Sequence, residues 1–201
     1  MVNFQLDEMQ EMLKELAHQF AVEEIRPHAE HWDTESIYPK EAIQSAHEMG
    51  LLNLHIGEEY GGPGLGSMEE VLVNEELAWG DPGFATAAYA TSLACAPIIT
   101  GATEEQKQMW LGKVAQEGAL ASYAVTEPGA GSDVAACKTT AVRDGDEYII
   151  NGSKMWITGA GYADFFFVLA KTDVDAGYKG MSGFIVESDA EGFSLGKKEV
   201  N

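Results

Sequence analysis

The 201-residue chain has room for one large domain or two small ones. Its 12 basic and 33 acidic side chains give a formal net charge of −21, which repels phosphate backbones and anionic headgroups and argues against nucleic-acid binding and membrane adhesion. A hydrophobic content of 45%, with 8 Phe, 7 Tyr and 4 Trp, is ample for a packed core and excludes disorder through charge alone. The two cysteines, Cys95 and Cys137, have no CxxC spacing and suit a reducing compartment better than a disulfide framework or a metal site. The amino-terminal run carries acids where a secretory signal carries basic residues. The longest unbroken apolar run, Phe165 to Ala170, falls far short of the ~20 residues that span a bilayer. A soluble, cytoplasmic protein without membrane insertion is expected.

Up to about Gly118 the signals are helical. Met9, Met12, Leu13, Leu16 and Phe20 recur at steps of three and four, which predicts one apolar stripe on a helix whose start is marked by Asp7 with Gln10 three residues on. Pro27 should end or kink it. Pro39 opens a second helix that stops at Gly50. The run Tyr60-Gly61-Gly62-Pro63-Gly64-Leu65-Gly66 reads as an irregular loop, because no strand precedes it as a nucleotide-binding fingerprint requires. Ser67 with Glu70 predicts a capping box before Val71, Leu72, Leu77 and Ala78, with Gly80 as terminator. Phe84 to Thr100 carries almost no charge, which predicts a helix buried on all sides. Thr103 with Gln106 begins a last capped helix reaching Gly118.

Beyond Gly118 the pattern switches to strands. Leu120 to Val125, Thr139 to Arg143, Tyr148 to Ile150, Lys154 to Ile157, Phe165 to Ala170 and Gly183 to Val186 are rich in β-branched and aromatic residues, with Asp144-Gly145 and Asn151-Gly152 as turn pairs. Helices followed by strands give an α+β fold with a helical domain over residues 1–118 and a β-domain over 119–201. Charge divides the same way: residues 1–118 hold 5 basic and 21 acidic groups, residues 119–201 hold 7 and 12.

The stretch from Tyr123 to Asp133, Tyr-Ala-Val-Thr-Glu-Pro-Gly-Ala-Gly-Ser-Asp, ends a strand in a Pro- and Gly-bearing loop with hydroxyls at both edges. Gly129 and Gly131 let backbone amides approach an anion without Cβ obstruction, and Ser132 adds a hydroxyl. The same residues also make a plain turn, and the residues by themselves leave both readings open. A tryptophan such as Trp156 is equally a core residue, and Thr126 or Thr158 a strand-former.

The run Ala124-Val125-Thr126-Glu127 with Ala130-Gly131-Ser132-Asp133 and Ala136 resembles the signature of the acyl-CoA dehydrogenases. Gly152-Ser153-Lys154-Met155-Trp156-Ile157-Thr158 resembles that family's second flavin-contacting strand. Ser92 to Ile99, the helix after Thr103 and Glu59-Tyr60-Gly61-Gly62 also look like family landmarks, most closely those of the medium- and short-chain straight-acyl branch. The resemblance covers the whole chain. It implies FAD as cofactor, with Tyr123, Ala124, Val125, Thr126, Glu127, Pro128, Gly129, Ala130, Gly131 and Ser132 lining it and Trp156, Ile157 and Thr158 on its other side. Val125 and Thr126 would bond the pyrimidine edge of the flavin, Thr158 would stand near N5, and Ser132 would also face the CoA substrate. Glu127 is expected to satisfy local backbone donors. Ala90, Ala94 and Ala96 are expected to leave room for the acyl chain.

The implied reaction is α,β-dehydrogenation of an acyl-CoA thioester to a trans-2-enoyl-CoA, a step of fatty-acid β-oxidation, with hydride passing to flavin N5. The implied fold adds an antiparallel β-barrel-like middle domain, truncated here, and a carboxyl-terminal helical domain that is absent. The catalytic glutamate is therefore expected beyond Asn201, none is assigned within the chain, and this fragment alone is expected to be inactive. An electron-transfer flavoprotein is the implied electron partner, and a homo-oligomer, dimer or tetramer, the implied assembly. A non-catalytic acyl-CoA- or partner-binding piece, or a flavin oxidase or monooxygenase on the same scaffold, are the rival readings. The histidines His18, His28, His31, His47 and His55 lack a third ligand at metal-binding spacing and are expected at the surface.

Overall fold

The computed structural model describes residues 5–199; Met1 to Phe4, which begin the acidic amino-terminal run, and Val200 and Asn201 lie outside it. Helix α1 (Glu8–Phe20) starts as its sequence dictates. The Asp7 carboxylate accepts the Gln10 N–H at 2.9 Å, and the Gln10 side chain accepts the Asp7 N–H in return. Leu13, Ala17 and Phe20 turn into the core, but Met9 and Met12 sit on the exposed flank, so the buried stripe is narrower than the periodicity suggested. The helix gives way to a wide turn over Ala21–Ile25 before Pro27. Short α2 (Ala29–Thr34) and α3 (Lys40–Glu48) follow, the latter running from Pro39 to the left-handed Gly50.

In α4 (Ser67–Gly80) the cap is one residue earlier than expected. Gly66 is the cap, and its N–H donates to Glu69 at 3.0 Å, while Glu70 turns away to His55. Asp81 then caps α5 (Pro82–Gly101), accepting the Phe84 N–H at 2.6 Å with Pro82 in the first turn, where its missing N–H costs nothing. By length and composition α5 could cross a membrane, yet 56% of its most apolar window is buried inside this fold. It is also not buried on all sides: Tyr89 and Leu93 are 40% and 46% exposed along one face. Helix α6 (Glu104–Glu117) has the expected Thr103–Gln106 box and ends at Gly118, whose φ of +68° closes it in the left-handed conformation.

The strands are β1 (Ala121–Ala124), β2 (Thr140–Asp144), β3 (Glu147–Asn151), β4 (Phe165–Lys171) and β5 (Met181–Glu187). The helix-then-sheet order agrees with the α+β expectation, but the described sheet is mixed rather than antiparallel. β1 runs parallel to β4 in the register Ala121↔Phe165, β4 pairs antiparallel with β5, and the β2–β3 hairpin reaches β4 through one parallel pair, Thr140↔Lys171. A parallel neighbour needs a long crossover, and residues 125–164 provide it. The expected strand Lys154 to Ile157 is not one: that stretch is irregular, and Trp156 has φ +60°, which no strand accommodates.

Helices and sheet share a core. Ala94, Cys95 and Ile98 of α5, Leu111 and Val114 of α6, Ala121 of β1 and Phe165 of β4 form one buried cluster, with the Trp110 ring 4.8 Å from that of Phe165. Thr91 on α5 accepts the Ala121 N–H at 3.1 Å, fixing β1 against the helix. Burial pushes the Cys95 thiol up to about 12, so it behaves as a small apolar residue.

Candidate functional site

The site grows from the carboxyl end of β1. Tyr123 stacks on Phe167 with ring centroids 5.5 Å apart, and Ala124 and Val125 are buried, so the chain leaves the sheet rigidly at Thr126. Glu127 and Ala130 exchange backbone hydrogen bonds of 3.0 and 3.1 Å across Pro128-Gly129, making a tight turn. Gly129 and Gly131 have no protein atom within 4 Å of where a Cβ would stand, and neither needs a positive φ. The fold itself therefore gives no reason for glycine at either position. Among the described residues their amides, and that of Ser132, take no acceptor within the chain, and all three residues are exposed.

The Glu127 carboxylate is buried and turned inward. It accepts the Lys138 N–H at 2.7 Å, the Thr139 N–H at 3.0 Å, the Thr139 hydroxyl, the Cys137 thiol at 3.0 Å and the Lys154 ammonium at 2.9 Å. Burial would raise its pKa, but donation by Cys137, Thr139, Lys154 and the Lys138 amide outweighs this and holds the carboxyl well below the usual carboxylate range. Desolvation first, and its bond to Glu127 second, push the Cys137 thiol up. The expectation that Glu127 serves local donors agrees with this geometry; the ion pair to Lys154 was not foreseen.

Besides the Lys154–Glu127 pair, three hydrogen bonds tie the second segment, Gly152 to Thr158, to β1 and the first segment. The Met155 N–H donates to the Thr126 carbonyl at 2.9 Å, the Lys154 ammonium to the Val125 carbonyl at 3.1 Å, and the buried Ser122 hydroxyl to the Thr158 carbonyl at 2.7 Å. Thr126, Trp156 and Thr158 thereby reach one groove of about 1060 Å³ together with Tyr123. Its opposite wall is the bare face of α5, with Thr86, Tyr89, Ala90 and Leu93, and its third side is α4, with Glu70, Val71 and Asn74. Trp156 presents its indole there, 63% exposed.

The remaining expected residues do not line this groove. Ala124, Val125, Glu127 and Ala130 are buried and hold backbone, and Ile157 packs inward on Ala124, Ala163, Phe166 and Val168. Pro128, Gly129, Gly131 and Ser132 lie on the exposed turn outside the groove's lining. Of the three alanines expected to make room on α5, only Ala90 lines the groove; Ala94 is fully buried in the core and Ala96 is exposed elsewhere. The contribution of α4 was missed, although Val71 beside Leu72 and Val73 puts apolar residues on more than one helix face, a sign of a second covered surface.

His18 lies 2.7 Å from Glu76 and against Trp79, His28 packs against Trp32, and His55 holds the groove residue Glu70 through Nδ1 while its buried Nε2 has no partner among the described residues. His47 lines a separate cavity of about 320 Å³ between α3, α6 and Asp164, where burial lowers its pKa. Among the described residues no three His, Cys, Asp or Glu side chains converge in a set that could hold a metal ion.

Residues 7–118 match the family model of the acyl-CoA dehydrogenase N-terminal domain, and residues 122–201 match that of the acyl-CoA dehydrogenase middle domain. The chain is 46% identical, over its entire length and 50% of the relative's, to a probable medium-chain specific acyl-CoA dehydrogenase 2, mitochondrial, of Caenorhabditis briggsae. Butyryl-CoA dehydrogenase from Megasphaera elsdenii superposes with a TM-score of 0.93 at 36% identity, covering 98% of this chain and 53% of that one. An acyl-CoA dehydrogenase complexed with FAD from Bacillus anthracis superposes with a TM-score of 0.88 at 34% identity, over 99% of this chain and 34% of that one. The chain spans about half the length of the curated relatives it matches.

Proposed function

The chain belongs to the acyl-CoA dehydrogenase family, and from that membership we propose that it forms the flavin- and acyl-facing part of an FAD-dependent enzyme that dehydrogenates acyl-CoA thioesters between the α and β carbons. One observation carries the reading. Two irregular segments far apart in sequence bring the Thr126 and Thr158 hydroxyls and the Trp156 indole to a groove whose other wall is the apolar face of α5. FAD, when bound, would supply the electron-accepting chemistry that such a dehydrogenation needs.

The chain's own residues have binding and orienting work. Thr126 and Thr158 offer hydroxyl donors where a reduced flavin gathers negative charge, and donors fixed in advance stabilise that charge without reorganising. Trp156 offers a flat apolar face to an aromatic ring system. The amides of Gly129, Gly131 and Ser132, which take no acceptor within the described chain, suit the pyrophosphate, with no Cβ at either glycine to obstruct its approach, and the Ser132 hydroxyl suits the CoA side of the substrate. Tyr89, Ala90 and Leu93 give the acyl chain an apolar wall and shed water from it. Glu127 is engaged by five donors and is not available as the base, so in this reading the α-proton is taken by a carboxylate from another part of the whole protein.

The whole protein would pass its electrons to an electron-transfer flavoprotein, work as a homo-oligomer and reside in the cytoplasm, and its role would lie in fatty-acid oxidation. The strongly acidic composition suits a partner with a basic docking face. The test is direct. The whole protein should purify with stoichiometric FAD and reduce it on addition of a straight-chain acyl-CoA under anaerobic conditions, yielding the trans-2-enoyl thioester. A colourless protein that fails to reconstitute with FAD, or one whose flavin stays oxidised with acyl-CoAs of four to twelve carbons, would overturn the proposal. Slow reaction of the reduced flavin with oxygen would separate a dehydrogenase from an oxidase on the same scaffold.

A further inference from the structure

The two segments that bear Thr126 and Thr158 are irregular, so no sheet ladder sets their spacing. What joins them instead is a buried charge. The Lys154 side chain, 10% exposed, places one ammonium between the carbonyl of Val125, just before Thr126, and the carboxylate of Glu127, just after it, at 3.1 and 2.9 Å. The next residue, Met155, donates its N–H to the Thr126 carbonyl at 2.9 Å. Thr126 is thus bracketed on both sides by the segment that carries Trp156 and Thr158. Glu127 extends the bracket to the Thr139 backbone and hydroxyl, and Gly152, at the head of the second segment, packs so closely on Thr139 that a Cβ there would collide with that hydroxyl.

We infer that Glu127 and Lys154 are a positioning pair: a buried clamp that fixes Thr126 and Thr158 relative to each other along one wall of the groove. Stability alone is a poor reason for such a pair. Two charges withdrawn from water recover little net free energy compared with apolar side chains of similar volume, whereas losing one partner strands the other. Geometry is a better reason, because hydroxyl donors act on a developing charge only when their positions are settled beforehand. The inference rests on the flavin reading of the groove for what the hydroxyls act upon, but not for the clamp itself.

Three variants of the whole protein test it: Lys154→Met, the charge-balanced double variant Glu127→Gln with Lys154→Met, and the conservative Lys154→Arg. Lys154→Met strands a buried carboxylate and is expected to unfold at lower temperature. The double variant removes that penalty and should recover most of the wild-type unfolding temperature. It should nevertheless bind FAD about 10-fold more weakly, the loss expected from about one misplaced hydrogen bond, and shift the flavin reduction potential. Amide hydrogen exchange should quicken in residues 124–133 and 152–158 of the double variant and stay near wild type in Lys154→Arg. A double variant with wild-type FAD affinity, potential and exchange in both segments would overturn the clamp. If the wild type binds no FAD, the flavin reading fails while the exchange comparison still decides whether Lys154 joins the two segments.

Discussion

The buried hydroxyl of Ser122 donates a 2.7 Å hydrogen bond to the main-chain carbonyl of Thr158, fastening a turn of the crossover to the first strand of the sheet. Gly159, at φ +73°, completes that turn beneath the Tyr38 and Ser122 hydroxyls, and Tyr38 in turn stacks on Tyr162 at 4.4 Å. Ser122→Ala should therefore destabilise the fold by about 1 kcal/mol, the net worth of one neutral hydrogen bond, and loosen Thr158 more than it loosens the core. Urea unfolding measures the first effect and hydrogen exchange at residues 157–163 the second. Unchanged exchange there would mean that the turn is held without Ser122.

Thr158→Ala addresses the groove more directly. The side chain is exposed toward the groove and makes no hydrogen bond within the chain among the described residues, so its removal should leave the unfolding temperature nearly unchanged. If the hydroxyl faces the flavin, the same change should slow flavin reduction or lower the reduction potential. Equal rates and potentials in the two proteins would remove Thr158 from the proposed site.

Chain-length preference should respond to Ala90 and not to Ala94. Ala90 lines the groove, and Ala90→Leu fills space that an acyl chain would otherwise occupy. With ~0.8 kcal/mol per methylene, discrimination against longer acyl-CoAs should rise by about a factor of four per carbon displaced. Ala94 is fully buried beside Cys95, Ile98 and Leu111, so Ala94→Leu overpacks the core and should cost about 1–3 kcal/mol of stability without altering the profile. A shortened profile in the Ala94 variant would place the acyl chain on the other side of α5.

These contrasts mark what local chemistry could reveal. The caps at Asp7 and Thr103 and the stops at Gly50 and Gly118 were legible because each depends on residues within one helical turn. The Ser67–Glu70 box was misplaced by one because Gly66 offers no side chain to betray its role, and only the reach of Glu69 shows where the helix begins. Lys154 to Ile157 looked like a strand by residue type, but the buried pair that Lys154 makes with the distant Glu127 and the left-handed Trp156 override that preference. The residues expected to face a flavin came from a motif. The α4 wall of the groove came from no local pattern, since Glu70 and Asn74 reach it only through the packing of α4 beside α5.

Acid should find the Glu127 cluster early. In the unfolded chain its carboxyl titrates near 4.5, while in the fold it is held well below that value. Its contribution is therefore fully present above about pH 5 and is lost as pH falls through the unfolded value toward the folded one. Each pH unit in that window removes about 1.4 kcal/mol for one differential proton. Denaturation series between pH 3 and 6 should show this slope in the wild type and a shallower one in the Glu127→Gln/Lys154→Met variant. Parallel slopes would show that Glu127 is not the group titrating.

The least stable part of the described fold should be the β2–β3 hairpin. β1 and β4 are tied into the helical core through Ala121 and Phe165, and β5 pairs with β4 along seven residues. The hairpin meets β4 through the single pair Thr140↔Lys171, and its cross-strand partners Val142 and Ile149 are 60% and 52% exposed. Local opening follows the number of buried apolar contacts an element would lose, so a protease should cut near the Asp144-Gly145-Asp146 turn long before it reaches the core strands. Limited proteolysis of the 201-residue chain followed by mass spectrometry should yield two complementary pieces cut near residue 145 that stay associated until denaturant is added. Early cleavage within residues 121–124 or 165–171 would show instead that the sheet half opens as one unit, and that the shared core of Cys95, Leu111 and Phe165 contributes less to holding the sheet on the helices than its burial implies.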